Sequence, residues 1–352
     1  MAALPPNPPP AQQPDGCSGP MRKTFRLLLA FAFLTLILVA AAAYVALLPI
    51  SLPREQVEFT LTPGSSLRAA AREIAASDVG IEPWVLIALA RLMGVEASIK
   101  AGSYQISRGT TPLDLLRKLT RGDFTQAELA FIEGWTFRQM RQRLDAHPDL
   151  RHETSALPDG EIMRLLGAPE LAAEGAFFPD TYLFAKRSSD LELLARAHRA
   201  MQRHLQQQWQ ARADGLPLRD AQQALILASI IEKETGRDQD RSQVAAVFIN
   251  RLRLGMPLQT DPTVIYGLGD GFDGNLRKRD LLADTPYNTY TRRGLPPTPI
   301  AMPGLASLQA ALHPAASDAL YFVSRGDGSS HFSRTLAEHN QAVLRFQRGG
   351  RP

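Results

Sequence analysis

The sequence offers almost no cysteine chemistry. Cys17 is the one cysteine among 352 residues, and it precedes a long apolar run. A disulfide framework needs at least two cysteines, and a lipid-anchor cysteine would have to follow the apolar run. Catalysis beyond that run must therefore rely on oxygen and nitrogen groups.

A strong charge of either sign and a close set of metal ligands are also lacking. The chain has 39 Lys+Arg against 35 Asp+Glu, without a block of five or six like charges, so we expect no nucleic acid partner. His331 and His339 lie eight positions apart near the C-terminus, and no HExxH motif occurs. Because lone histidines are more often structural than metal-binding, we predict no metal site and no cofactor.

The feature that is present is one long apolar run. No charged residue occurs from Leu27 to Pro53, and Leu27 to Leu48 is long enough to cross a bilayer of roughly 30 Å as a helix. Arg22, Lys23 and Arg26 precede the run, and positive charges tend to stay in the cytoplasm. We predict a single-pass membrane protein whose N-terminus is cytoplasmic and whose working part is exported.

A cleavable signal peptide is the competing interpretation of the same run. Ala41 to Ala43 could imitate a small-residue cleavage site. The run is longer than the usual signal-peptide core of about 7–15 residues, which favours the uncleaved anchor.

The exported part is predicted to contain a small module and a larger one, with a boundary near Asp123. The spacing predicts strands over 57–61 and 101–107, separated by helices over 67–76 and 83–93, and then a helix that ends at Gly122. This β-α-α-β order resembles a LysM-like carbohydrate-binding module. A generic small α+β spacer is the alternative.

The larger module is predicted to be α+β with helices dominant. Its expected strand covers 129–132, and its expected helices cover 137–144, 191–209, 220–234 and 242–253. Polar and proline-rich loops are expected from Pro257 to Pro303, followed by a last helix, strand and helix. The predicted domains are a disordered tail at 1–26, a transmembrane helix at 27–49, the LysM-like module at 54–123, the catalytic domain at 124–347 and a tail at 348–352.

One glutamate in the larger module lies on an apolar helix face. On a helix with 3.6 residues per turn, Leu227, Ile230, Ile231 and Glu234 share a face, whereas Glu232 points roughly opposite. A carboxyl on an apolar face is desolvated, so its pKa should rise and it could act as a general acid. The alternative is that the EKE segment is a solvated helix end.

Two polar loops follow this helix and could line a substrate groove. The first contains Gln259, Thr260, Asp261, Thr263 and Tyr266, although Asp261 and Thr263 could instead form a turn and helix cap. The second is Tyr287-Asn288-Thr289-Tyr290, followed by Gly294-Leu295-Pro296-Pro297. It offers aromatic faces and an amide to sugars, although the tyrosines could equally be loop packing.

Five segments together resemble one family. They are IIEKET at 230–235, VAAVFINRLRLGMPLQTDPTVIYGLGD at 244–270, YNTY at 287–290, GLPPTPIAMPG at 294–304 and HFSRTLAEHN at 331–340. The chain closely resembles the endolytic murein transglycosylase family (MltG, YceG-like) over nearly its whole length after the apolar run. The resemblance implies an inner-membrane, single-span enzyme with a periplasmic catalytic part that cuts glycan strands of nascent peptidoglycan.

The resemblance also implies the chemistry and the site. Its catalytic glutamate corresponds to Glu234, which would protonate the glycosidic oxygen and then take the proton from the C6 hydroxyl of N-acetylmuramic acid. The product would end in a 1,6-anhydro ring. By motif match, the substrate-binding residues are Gln259, Thr260, Asp261, Tyr266, Asn288 and Tyr290. Penicillin-binding glycan polymerases are the expected partners.

Two other functions remain open at this stage. If Asp261 approached the bond from the far side, a muramidase that uses water would be possible. A glycan-binding scaffold that recruits wall synthases with little catalysis of its own is the third interpretation.

Overall fold

The fold is taken from a computed structural model that describes residues 20–347. Cys17, the predicted tail up to residue 19, the predicted tail at 348–352 and the side chains of Arg22 and Lys23 lie outside this description. The chain divides into two compact units, Met1–Thr125 and Gln126–Pro352. Its described part is mixed α and β.

The first unit begins with the apolar helix, which starts earlier than predicted. Its elements are α1 (Pro20–Leu47), β1 (Gln56–Leu61), α2 (Leu67–Ala75), α3 (Pro83–Leu92), β2 (Gly102–Ser107) and α4 (Pro112–Arg121). Within α1, Phe25–Leu47 is long and apolar enough to cross a membrane, a property that a signal sequence near an N-terminus shares.

The rest of the first unit folds around a two-stranded sheet. Strands β1 and β2 pair antiparallel, with Gln56 opposite Ser107 and Leu61 opposite Gly102. Tyr104 is fully buried between the sheet and the helices, stacks on Phe59 at 5.6 Å and donates a hydrogen bond to the Lys100 carbonyl at 2.6 Å. The module therefore has its own hydrophobic core.

The second unit is dominated by helices. Its helices are α5 (Phe137–Asp145), α6 (Asp159–Leu165), α7 (Asp190–Gln210), α8 (Ala221–Glu234), α9 (Asp238–Arg253), α10 (Asp261–Leu268), α11 (Lys278–Leu282), α12 (Leu305–Leu312) and α13 (Leu336–Phe346). Its strands are β3 (Gln126–Ala130), β4 (Leu150–Arg151), β5 (Thr181–Ala185), β6 (Ser188–Ser189), β7 (Tyr321–Ser324) and β8 (Ser330–Ser333). Strands β3 and β5 pair antiparallel, β4 and β6 pair parallel, and β7 and β8 form an antiparallel hairpin.

Helix α8 runs through the centre of the second unit. Every residue from Ala224 to Ile231 is buried, and α8 packs against α7, α9 and α12. A helix that is apolar on all sides is stabilised by burial on all sides. Its last turn therefore projects from a rigid, packed core.

Four sequence expectations need correction in the second unit. The strand expected at 129–132 is β3, and it pairs with β5, which was expected to be part of a loop. Helix α9 begins at Asp238, before the predicted start at Ser242. The segment expected to be loops contains two helices, α10 and α11. In α10, Pro262 lies in the first turn of the helix, where proline is favoured. The last strand is a hairpin of two strands, β7 and β8.

Candidate active site

Glu234 is the last residue of α8 and is half-buried where that helix leaves the core. Burial raises the pKa of its carboxyl above the ordinary value, and the nearby Asp261 carboxylate adds to this rise. A hydrogen bond from Thr260 and the positive charge of Arg251 lower the pKa and so oppose the rise. The balance is a raised pKa. A carboxyl of this kind holds its proton to higher pH than a solvated one and can donate it to a substrate.

Thr260 fixes the orientation of that carboxyl. Its hydroxyl donates to Glu234 Oε1. The threonine is buried, and its backbone N–H donates to the Thr289 hydroxyl oxygen at 3.1 Å. Thr263 completes the cluster, because its hydroxyl donates to the Thr260 carbonyl at 2.7 Å and contacts the Thr289 hydroxyl at 2.8 Å. With Oε1 engaged, the second oxygen of Glu234 is the one available to a ligand.

Gln259 adopts a strained backbone immediately before Thr260. Its φ of +53° lies in the left-handed region, where a residue other than glycine costs on the order of 1–3 kcal/mol. Its N–H donates to the Thr289 carbonyl at 3.1 Å. Strained residues persist only where their surroundings determine them, and they concentrate at functional sites.

Asp261 and Tyr290 form a pair beside this cluster. The Tyr290 hydroxyl donates to Asp261 Oδ1 at 2.5 Å, and Asp261 is the first residue of α10. Burial and then this hydrogen bond to Asp261 raise the pKa of Tyr290, which also senses the Glu234 charge. The structure therefore brings Glu234, Thr260, Asp261 and Tyr290 together.

Asn288 and Tyr266 are committed to other parts of the protein. Asn288 is fully buried, its amide N–H groups donate to the carbonyls of residues 280, 281 and 283, and its Oδ1 accepts from the Tyr290 N–H at 2.9 Å. The Tyr266 hydroxyl donates to Glu174. In this conformation Asn288 shapes the Tyr290 loop, and Tyr266 ties α10 to the segment before β5.

Glu232 faces another element, as its spacing from Glu234 predicts. Its Oε2 accepts from the Gly304 N–H at 2.9 Å, so it caps the N-terminus of α12. Glu133 lies at the same helix end, and burial and then the charge of Glu232 raise the pKa of Glu133. The two glutamates of the EKE segment therefore serve different elements, and neither belongs to a solvated helix end.

The sequence did not single out Arg251 or Glu174, and it placed Thr289 in a polar loop without a role of its own. Arg251 is buried, and its charge acts on Glu234. The sequence pattern that indicates a buried Arg251 was present, because Val244, Phe248 and Arg251 share one face of α9 at the spacing that singled out Glu234. Thr289 and Glu174 gave no such signal, since both lie outside helices.

The histidines near the C-terminus pack against aromatic rings. His339 stacks on Tyr321 at 5.3 Å, and His331 contacts Phe346 at 5.5 Å. Within residues 20–347, one group has metal-ligand spacing, Asp145, His152 and Asp190. Both Asp190 oxygens already accept hydrogen bonds from the 153–154 segment, so this carboxylate is satisfied without a cation.

Comparisons with known proteins agree on one family. A family model described as the YceG-like family matches residues 59–345. The chain is 31% identical over 307 residues to a Bacillus subtilis (strain 168) protein named endolytic murein transglycosylase. The match covers 82% of this chain and 84% of that protein. A Streptococcus pneumoniae (strain D39) protein of the same name is 26% identical, with 70% of this chain and 50% of that protein covered. A crystal structure of a yceG-like protein from Listeria monocytogenes matches with a TM-score of 0.51 and 30% identity, over 82% of this chain and 98% of that one.

Proposed function

The chain belongs to the YceG-like family, and from that membership and the geometry around Glu234 we propose that it is a peptidoglycan lytic transglycosylase. It would cut the β-1,4 bond between N-acetylmuramic acid and N-acetylglucosamine inside nascent glycan strands. The proposed activity is that of a carbon–oxygen lyase that acts on a polysaccharide. The observation that carries the proposal is one carboxyl of raised pKa, held by Thr260 at the end of a buried helix.

The proposed reaction uses Glu234 twice. The protonated carboxyl first donates its proton to the glycosidic oxygen as the bond from that oxygen to C1 of N-acetylmuramic acid breaks. The carboxylate then takes the proton of the C6 hydroxyl on the same sugar, whose oxygen forms the new bond to C1. The product is a 1,6-anhydro ring, and Glu234 ends protonated as it began. Intramolecular attack of this kind needs no bound water.

A single carboxyl suffices for this reaction, and the surroundings of Glu234 favour it. A hydrolase would need a second carboxyl about 5–9.5 Å from the first. Glu232 is used at the N-terminus of α12, and Asp261 accepts the Tyr290 hydroxyl. Asp261 is the carboxylate that a water-using muramidase would have to recruit.

Thr260→Val should shift the pH profile to higher pH. The Thr260 hydroxyl stabilises the ionised form of Glu234, so its removal raises the pKa of that carboxyl further. Because the general acid must be protonated, activity is lost as pH rises through its pKa, and a higher pKa moves that loss upward. We expect the alkaline limb of kcat/KM to move to higher pH. An unmoved limb would mean that another group sets it.

We further propose that α1 anchors the protein in the inner membrane, with the catalytic unit in the periplasm and the first unit acting as a LysM-like module. The support is the apolar span at Phe25–Leu47 and the β-α-α-β order of the first unit. Penicillin-binding glycan polymerases are the proposed partners. A pull-down through α1 that recovers no wall synthase would count against that partnership.

The activity is tested by mass spectrometry of the fragments released when the detergent-solubilised full chain acts on uncrosslinked glycan strands. Anhydro ends on internal fragments are the expected result. Reducing ends, heavier by one water, would identify a muramidase. The absence of cleavage would favour a glycan-binding scaffold, which should keep its cellular effect when Glu234 is replaced by Gln.

A further inference from the structure

Arg251 is a buried arginine that uses its donors on backbone carbonyls. It is 7% exposed, near the C-terminal end of α9. Its Nε donates to the Leu320 carbonyl at 2.7 Å, and its Nη1 donates to the Leu258 carbonyl at 2.7 Å and the Pro257 carbonyl at 3.3 Å. The guanidinium also lies 5.1 Å from the centre of the Tyr321 ring. A buried cation that is hydrogen-bonded to backbone carbonyls indicates a role in fixing the conformation of that backbone.

Arg251 is hydrogen-bonded to the segment that leads into Gln259, the residue with the strained backbone. Pro257 and Leu258 directly precede Gln259, and Nη1 also reaches Gln259 Oε1 at 3.5 Å. On the other side, Thr289 accepts the N–H groups of Gln259 and Thr260. The left-handed Gln259 is thus fixed from both sides, and the next residue is the one whose hydroxyl reaches Glu234.

We propose that Arg251 is a positioning residue, which holds the Gln259 turn in its left-handed conformation and so places the Thr260 hydroxyl on Glu234. Its effect on glycan cleavage rests on the proposed function, whereas its effect on the Glu234 site does not.

The charge of Arg251 gives the same residue a second influence on Glu234. The charged or titratable groups that act on this carboxyl or sense it are Arg251 on α9, Asp261 on α10 and Tyr290 in the following loop. Arg251 is the cation in this set, and it opposes the rise in the pKa of Glu234 that burial causes. Its loss removes this effect and, through the turn, the Thr260 hydrogen bond, so both changes raise the pKa.

The test combines Arg251→Met with Gln259→Gly in the full chain. We expect Arg251→Met to lower kcat about 30-fold or more with a smaller change in KM, because the acid is misplaced while much of the groove remains. Glycine adopts positive φ freely, so the double variant should regain about tenfold over Arg251→Met alone. A double variant as slow as Arg251→Met would overturn the proposal, as would an unchanged kcat in Arg251→Met.

Arg241→Met is the matched control. Arg241 is also buried on α9 but bonds to Asp238, and it lies about 15 Å from Arg251 along the helix. Its replacement should lower the thermal midpoint without a kcat change beyond about twofold. If Arg251→Met does not fold, Arg251→Lys is the second variant, because it keeps the charge but loses the planar fork. Arg251→Lys should show a loss of kcat that Gln259→Gly partly restores, and a lysine variant with full kcat would refute the role of the fork.

A measurement without substrate separates this proposal from the proposed function. The pKa of Glu234 can be followed by carbon NMR of glutamate-labelled full chain, with Glu234→Gln used to assign its signal. We expect Arg251→Met to raise that pKa and Arg241→Met to leave it unchanged. If the wild type cleaves no glycan, the function fails while this shift still supports Arg251. If glycan is cleaved and the pKa does not move, the positioning role fails alone.

Discussion

Glu234→Gln should abolish glycan cleavage and leave the chain folded. Glutamine has the same shape and can still accept the Thr260 hydroxyl, but it can neither donate nor take the proton that the reaction moves. Positioned proton transfer contributes about 10²–10⁴-fold, and we expect a loss in kcat of at least that range because the same group acts in both steps. The measurement is the rate of fragment release from uncrosslinked strands, together with the thermal midpoint of each protein.

Glu232→Gln is the control on the same helix. It removes a charge two positions away but keeps the oxygen that accepts the Gly304 N–H. Its activity should stay within about threefold of the wild type, since positioned acid–base catalysis is not removed. A Glu234→Gln protein with more than about a tenth of wild-type activity would mean that another group is the acid.

Raising the pH from about 4.5 to about 7 should destabilise the second unit through Glu174. This carboxyl is 9% exposed, and burial raises its pKa from 4.5 to about 7 despite hydrogen bonds from the Phe137 N–H and the Tyr266 hydroxyl. Between these two pH values the folded state keeps a proton that the unfolded state has released, so the free energy of unfolding falls as pH rises. The fall amounts to about 3 kcal/mol and is complete above the folded pKa.

The measurement is the thermal midpoint of the full chain across this pH range, with Glu174→Gln beside it. The glutamine cannot ionise, so its midpoint should fall less steeply than that of the wild type and should be higher at neutral pH. Glu161→Gln is a suitable control, because that half-buried glutamate has a lowered pKa and pairs with Arg164. Parallel curves for wild type and Glu174→Gln would show that Glu174 ionises as freely when folded as when unfolded.

Glu234 could be found from the sequence because its signal is local. The apolar spacing of α8 requires only that the helix be buried, and residues 224–231 are buried on all sides. The same spacing turns Glu232 away from Glu234, and the structure gives Glu232 a separate task at α12. Helical periodicity therefore identified Glu234 as the candidate acid, and it also indicated that Glu232 and Glu234 do not act as a pair.

The rest of the site depends on contacts between distant segments. The Thr260 hydroxyl meets a carboxyl 26 positions earlier, and Thr289 meets Thr260 from 29 positions later. No local pattern encodes such a meeting. Composition was also a poor guide to exposure, since Asn288 looks like a loop amide but is fully buried on backbone carbonyls.

Two local signals were present but ambiguous. Asp261-Pro262 suits both a turn and the first turn of a helix, and in the structure it begins the helix α10, which packs against α8. Arginine on an apolar face is usually expected to extend its charge to solvent, whereas Arg251 turns inward because carbonyls of two segments meet it there.

The most direct test of the single-carboxyl account is to run the reaction in water labelled with heavy oxygen and to analyse the new glycan ends by mass spectrometry. If Glu234 activates the sugar's own C6 hydroxyl, the new ends are anhydro rings that contain no label. Labelled reducing ends would contradict the account, because they would require an activated water and a second carboxyl such as Asp261.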